Sequence, residues 1–289
     1  MAITAQSVVE LIQRKLGPDW LGAATDNFVA GRPETAVTGI ATTYAPSLEV
    51  LQKAVASGRN LIISRESPYW RRSYAPGGRA SSGNPPPRPS MDGDPVYELK
   101  KKYIADNNLV VFRLFQSWNA RQPDAQLQGL AKALGWEPYY KPSRNAPWTT
   151  NNGFFNLPPT TLREAAKAIK AKLGARSIRV GGDPNAKVTR AALRPGMYLL
   201  SDLQALLAEP GVNLVVVGEP EWENELSQYS FDLADSGAGV GYIVLGQQIS
   251  EEPGAGEMAR WLKTIITEVP VEWIPAGEPC WMLPEGATS

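Results

Sequence analysis

The segment 37–64 decides the class of fold. Residues 37–43 form a run rich in β-branched side chains, which predicts a strand. Ser47 is placed to cap a helix whose Leu48, Leu51 and Val55 make an apolar stripe that stops at Gly58. Residues 60–64, Asn-Leu-Ile-Ile-Ser, then read as a short buried strand. Strand, helix and strand in this order is a βαβ unit, and a crossover of this kind implies parallel pairing.

The rest of the chain repeats that alternation. The start, residues 1–16, is an amphipathic helix with Val8, Leu11, Ile12 and Leu16 on one face. Asp94-Pro95 caps a helix whose apolar stripe is Val96, Leu99 and Tyr103, and strand 109–114 follows. Helix 125–134 closes at Gly135, and residues 137–159, rich in Pro, Asn and aromatics, mark a boundary. Thr161 with Glu164 forms a capping box for a helix that Gly174 stops. Strands are predicted at 177–180, 187–192, 213–217, 240–245 and 271–274, with helices from Ser201 and around Met258, Trp261, Leu262 and Ile265. The expected fold is α/β, with mixed sheets flanked by helices. The boundary divides the chain into two α/β segments.

Composition narrows the chemistry. The 289 residues include 29 Lys+Arg against 29 Asp+Glu, so no overall basic field favours nucleic acid or an anionic membrane. No histidine is present, which removes Ser-His-Asp and Cys-His systems and every His-ligated metal. The single cysteine, Cys280, excludes an internal disulfide and Cys-based zinc or redox motifs. No apolar run reaches the roughly 18 residues of a membrane span. The composition fits a cytoplasmic protein, and equally the mature part of an exported one whose signal is absent from this chain.

Ligands of open α/β sheets collect beyond the carboxyl ends of the strands. Three segments carry polar residues there: Ser64-Arg65-Glu66-Ser67, Phe115-Gln116-Ser117 and Gly246-Gln247-Gln248-Ile249-Ser250-Glu251. Between Pro68 and Asp92 apolar periodicity gives way to Gly, Pro and Ser with Arg71, Arg72, Arg79 and Arg88. That stretch reads as a loop able to close over a phosphate or carboxylate, or as an ordinary solvated loop. Gly181-Gly182-Asp183 has the form of a hairpin turn, without the lysine and spacing of a phosphate loop.

Residues 37–43, 48–54 and 60–64, with Gly246 to Glu251 and the tail Ile274-Pro275-Ala276-Gly277-Glu278-Pro279, resemble the opening and closing parts of the Nif-three-like, dinuclear-metal-centre hexameric family, the GTP cyclohydrolase type-2 homologues. The resemblance implies a two-lobed fold, with residues 1–140 and 222–289 in one lobe and residues 141–221 in the other, a hexameric ring of identical chains, and two metal ions held in a cleft. In that family the ions are bound by a Thr-His-His-Pro or Thr-His-Glu-Pro motif, a mid-chain Asp and a Gly-His-x-x-Ser-Glu motif. The corresponding positions here are Arg65, Glu66, Gln116, Gln247 and Glu251. Two keep a carboxylate; Arg and Gln do not replace imidazole or carboxylate as transition-metal ligands.

Facing carboxylates without their cations would repel one another, and an arginine answers that charge with a fork of donors. The expectation is therefore Arg65 in the place of a metal, bridging Glu66 and Glu251, with Gln116 and Gln247 completing the hydrogen bonds and no metal or other cofactor. On this reading the protein is a metal-free, pseudo-enzyme-like family member that binds a small anionic molecule or serves as an oligomeric scaffold, with neither nucleic acid nor membrane as partner. The alternative is an active hydrolase with Glu66 or Glu251 as general base on water, helped by a weakly held divalent cation.

Overall fold

The computed structural model describes residues 3–22, 26–69, 91–121, 123–142, 152–221, 228–229, 232–233 and 236–282. The four arginines of the expected lid, Arg71, Arg72, Arg79 and Arg88, lie outside the described residues. The chain is organised as two compact units, Met1–Gln122 with Ala255–Ala276, and Pro123–Gly254 with Gly277–Ser289.

In the first unit, helix α1 (Ala5–Leu16) precedes β1 (Asn27–Ala30), β2 (Ile40–Thr43), α2 (Leu48–Ala56), β3 (Leu61–Ser64), α3 (Pro95–Asp106), β4 (Val110–Arg113) and α4 (Gln116–Ala120). The last strand of the chain, β10 (Val271–Trp273), joins the same sheet, whose order is β1-β4-β3-β2-β10. The βαβ expectation is met: β2 and β3 pair in parallel, Ile40 opposite Leu61 and Thr43 opposite Ser64. Every residue of β2, β3 and β4 is buried, as parallel strands covered on both faces require. Ser47 accepts the Val50 N–H at 3.2 Å, as its position before the apolar stripe predicts. One face of the sheet packs Ala41, Ile62 and Val111 against Val50, Leu51, Ala54 and Ile104.

The face that α3 buries differs from the predicted stripe. Lys100 and Ile104 are its buried residues, while Val96 and Leu99 are exposed. Asp94 fixes the start of this helix by accepting the N–H groups of Val96 and Tyr97 at 2.9 and 2.8 Å.

The second unit contains α5 (Ala125–Leu134), β5 (Gly153–Thr161), α6 (Leu162–Leu173), β6 (Arg179–Gly181), β7 (Lys187–Tyr198), α7 (Leu200–Leu207), β8 (Leu214–Pro220) and β9 (Gly241–Val244). Its sheet runs β5-β7-β8-β9-β6, with β7, β8 and β9 parallel and both edge strands antiparallel. Leu127, Leu130 and Leu134 of α5 and Leu162 and Ile169 of α6 share a core with Val188, Leu193 and Val216. A second cluster joins Leu203 and Leu206 of α7 to Val215, Val217 and Val244.

Strand β9 therefore lies in the second sheet, whereas the sequence reading grouped 222–289 with the first lobe. The reason is the parallel ladder to β8, Leu214 opposite Gly241 and Val217 opposite Val244. Similarly, α5 belongs to the second unit through its leucines. Strand β5 occupies part of what reads as a Pro-rich boundary. It is an edge strand, and Pro158 and Pro159 fall where its pairing with β7 breaks between Asn156 and Thr160.

Helix α8 (Gln247–Leu262) follows β9. Among the described residues no helix is long and apolar enough to cross a membrane.

Glycine is required where β7 and β8 approach. Gly196 has φ +81° at the irregularity between Arg194 and Met197, and a Cβ on Gly218 would lie 2.2 Å from the Gly196 carbonyl oxygen and 2.6 Å from Ser250 Oγ. Backbone cannot yield as a side chain does. The Gly218→Ala variant is expected to lose about 3 kcal/mol in chemical denaturation; a loss below about 1 kcal/mol would show that the strands can separate at little cost.

Candidate site at the carboxyl end of the first sheet

Strand β3 does not stop its ladder at Ser64. Arg65 N–H donates to the Thr43 carbonyl at 3.3 Å and Glu66 N–H to the Tyr44 carbonyl at 2.9 Å, so both residues are held by the backbone that extends β2 and β3. Ser64 Oγ donates to the Glu66 carbonyl at 2.7 Å and tightens the exit turn.

The side chains of these two residues form an ion pair, Arg65 Nη1 to Glu66 Oε1. Arg65 is only 8% exposed. Its guanidinium lies over the Phe115 ring at 4.1 Å from the centroid, with Tyr44 at 5.6 Å. Arg113, also buried, donates from Nε to the Arg65 carbonyl at 3.0 Å and has its own guanidinium 5.2 Å from the same Phe115 ring. Cations over an aromatic face are attracted by its negative π surface. Two guanidinium groups thus lie within cation–π range of the one Phe115 ring.

Phe115 is positioned by a carboxylate far away in sequence. Buried Asp26 accepts the N–H groups of Phe115, Gln116 and Ser117 at 2.5, 3.1 and 2.9 Å, and the Ser117 hydroxyl as well. Asp26 thereby caps α4, whose own N-cap, Phe115, has no side-chain acceptor. Ser117 Oγ in turn accepts the Leu21 N–H at 2.9 Å.

Of the five expected ligand positions, the structure joins Arg65 and Glu66. Gln116 is exposed at the first position of α4; its backbone is engaged by Asp26, and its side chain makes no hydrogen bond among the described residues. Gln247 and Glu251 belong to the second unit. Gln247 is half-buried, and its Nε2 has no hydrogen-bond partner among the described residues. Glu251 is 1% exposed; a Cβ on Gly196 would come within 3.0 Å of its Oε1. Its neighbour Ser250 ties α8 to β7, accepting the Gly196 N–H at 3.0 Å and donating to the Gln247 carbonyl at 2.7 Å.

The second unit adds a carboxyl group that the sequence analysis did not single out. Asp124 caps α5, its Oδ1 accepting the Gln126 and Leu127 N–H groups at 2.8 and 2.9 Å. Its Oδ2 is buried and accepts no hydrogen bond among the described residues. Burial raises its pKa to about 6; the two amide hydrogen bonds oppose the rise, the charge of Glu251 adds to it, and Arg194 opposes it. The available signal was a helix-capping aspartate before Ala125. Asp26 and Arg113 carried no local signal, because their partners lie dozens of residues away.

The residues at Glu66 do not fit the metal pair that the family resemblance implies. A divalent ion on that carboxylate would have to displace the Arg65 guanidinium and share the surroundings with Arg113, a second buried cation. Among the described residues no group of three or more His, Cys, Asp or Glu side chains is placed to hold a metal ion.

Over its whole length the structure is similar to that of a Bacillus cereus protein related to NIF3, at a TM-score of 0.72 and 12% identity, covering 98% of this chain and 100% of that one. The fold is the NIF3 fold. The Staphylococcus aureus hypothetical protein SA1388 shares it at a TM-score of 0.70 and 18% identity, over 98% of this chain and 100% of that one. HcgD from Methanocaldococcus jannaschii shares it at a TM-score of 0.61 and 14% identity, over 94% and 98% of the two chains. No protein-family model and no curated protein matches the sequence. Within the NIF3 fold of this chain, the exit of β3 carries an arginine–glutamate pair stacked on Phe115.

Proposed function

We propose that this chain is a metal-free protein built on the NIF3 fold, and that it acts by binding a small anionic molecule. The observation that carries the reading is the Arg65–Glu66 pair: a permanent cation, buried on Phe115, already neutralises the carboxylate that a metal would need. Removing two divalent ions from such a place without a substitute would leave buried charge uncompensated. Arg65 supplies the substitute, and Asp26 and Phe115 hold it in place. Self-assembly into a ring of identical chains is part of the same proposal, and light scattering on the purified protein tests it; a monomer at working concentration would remove that part.

The test of the reading is metal analysis of protein produced in medium supplemented with zinc, manganese, iron and magnesium, followed by assays on nucleotide and amide substrates with and without chelator. The expected result is substoichiometric metal and no chelator-sensitive turnover. Activity lost on chelation and restored by Mg²⁺ would overturn it in favour of a hydrolase with Glu66 or Glu251 as general base.

A further inference from the structure

The chain that leaves α5 builds a recess in the second unit. Gly135 stops the helix with φ +67°, and buried Trp136 then joins the core. One tight turn, Glu137–Tyr139, brings Tyr140 beside the edge strand β5. There Tyr140 forms an antiparallel bridge to Phe155, and the Lys141 N–H donates to the Phe154 carbonyl at 2.7 Å. An edge strand offers unpaired backbone groups, and the returning chain uses one of them. The Phe155 ring has two aromatic neighbours, Trp136 at 5.6 Å and Tyr140 at 5.7 Å between centroids.

Between this return and α5 lies an open pocket of about 190 Å³. Leu127, Gln128 and Ala131 line it from one face of α5, Phe155 and Tyr140 add ring surface, and Glu137 stands in the remaining wall. Every lining residue belongs to the second unit. Sites for drug-sized ligands run to roughly 300–1,000 Å³, so a volume this small suits a single compact group.

The wall selects the sign of an occupant. Glu137 carries the one charge among the lining residues, and its exposed side chain makes no hydrogen bond or ion pair among the described residues. Burial raises the pKa of Tyr140, so its hydroxyl stays neutral at pH 7 and adds no second negative charge. Aromatic faces attract cations, and a carboxylate beside them repels anions. One carboxylate does not make a metal site, and among the described residues no cluster of metal-ligating side chains includes it. Leu127, Ala131 and Phe155 offer apolar surface that a bare ammonium ion would leave unused. Charge and apolar surface together match a cation clothed in methyl groups.

We propose that this pocket binds a small quaternary ammonium compound, its charge toward Glu137 and its methyl groups against Leu127, Ala131 and Phe155. The site uses no residue of the Arg65–Glu66 pair, and its ligand has the opposite charge to the one proposed above.

The test is titration of the full chain with choline, with neohexyl alcohol as its neutral carbon isostere, with tert-butylacetate as an anion of the same shape, and with ethanolamine as the cation without methyl groups. Saturation transfer from protein aromatic protons to the ligand reads binding beside the rings. The expected result is saturable binding of choline, with neohexyl alcohol and ethanolamine each about fivefold weaker or more and no transfer to tert-butylacetate. Glu137→Gln is expected to weaken choline about fivefold and to leave neohexyl alcohol unchanged. The variant is expected to fold as the parent does, because this side chain is exposed and unpaired among the described residues. Absence of saturable choline binding, equal choline affinity in Glu137→Gln, or neohexyl alcohol or ethanolamine binding as tightly as choline overturns the proposal. None of these readouts depends on Arg65 or on metal content, so the pocket fails or stands apart from the metal-free reading.

Discussion

Replacing Asp26 with alanine is expected to cost the first unit about 4 kcal/mol. The carboxylate accepts three backbone N–H groups and the Ser117 hydroxyl at the start of α4. Alanine leaves those donors without their acceptor, and each buried unsatisfied donor costs about 1–3 kcal/mol, with water recovering part of it. Asn at position 26 keeps acceptor capacity on one oxygen and is expected to lose about half as much. The effect reaches the site: Phe115, on which Arg65 lies, has its backbone N–H on this carboxylate. Urea denaturation of the two variants checks the order, and a loss below about 1 kcal/mol for Asp26→Ala would show that α4 is held by other means.

Asp124→Asn is expected to have the opposite sign. The folded-state pKa of Asp124, about 6, stands above its ordinary value of 3.8. Between these values the folded protein holds a proton that the unfolded chain has released, so stability falls as pH rises from about 4 to 6 and stays lost above that. The loss at pH 7 is about 3 kcal/mol, since a tenfold change in proton affinity corresponds to about 1.4 kcal/mol. Asparagine retains the cap on Gln126 and Leu127 N–H and carries no charge. The variant is therefore expected to be more stable than the parent at pH 7, equal to it near pH 4, and flatter in between. Parallel stability profiles for the two proteins across this range would refute the assignment.

What the sequence made legible was local. The βαβ unit, the Ser47 and Thr161 caps and the Gly135 stop depend on residues within a few positions of one another, and all are found as expected. The resemblance added the fold, which similarity to solved structures at 12–18% identity supports. Contacts that close over long spans stayed hidden. Asp26 is separated by about ninety residues from the amides that it caps, and nothing in its own surroundings marks it. The edge strand β5 was masked by Pro158 and Pro159, which an edge tolerates and a central strand would not. On α3 the apolar spacing of Val96, Leu99 and Tyr103 outweighed Lys100, because a buried lysine is uncommon enough for the pattern to read as a core stripe. At the candidate site the adjacent Arg65 and Glu66 were visible in the sequence, yet the approach of two guanidinium groups to the Phe115 ring was not.

The proposal turns on the Arg65 guanidinium, rather than an inorganic cation, neutralising the Glu66 carboxylate. Anomalous diffraction from crystals soaked in Zn²⁺ or Mn²⁺ addresses it directly. The prediction is density for the guanidinium on Glu66 and over Phe115, with no anomalous peak bonded to the Glu66 carboxylate. A metal peak on Glu66, with Arg65 turned away from it, would contradict the account.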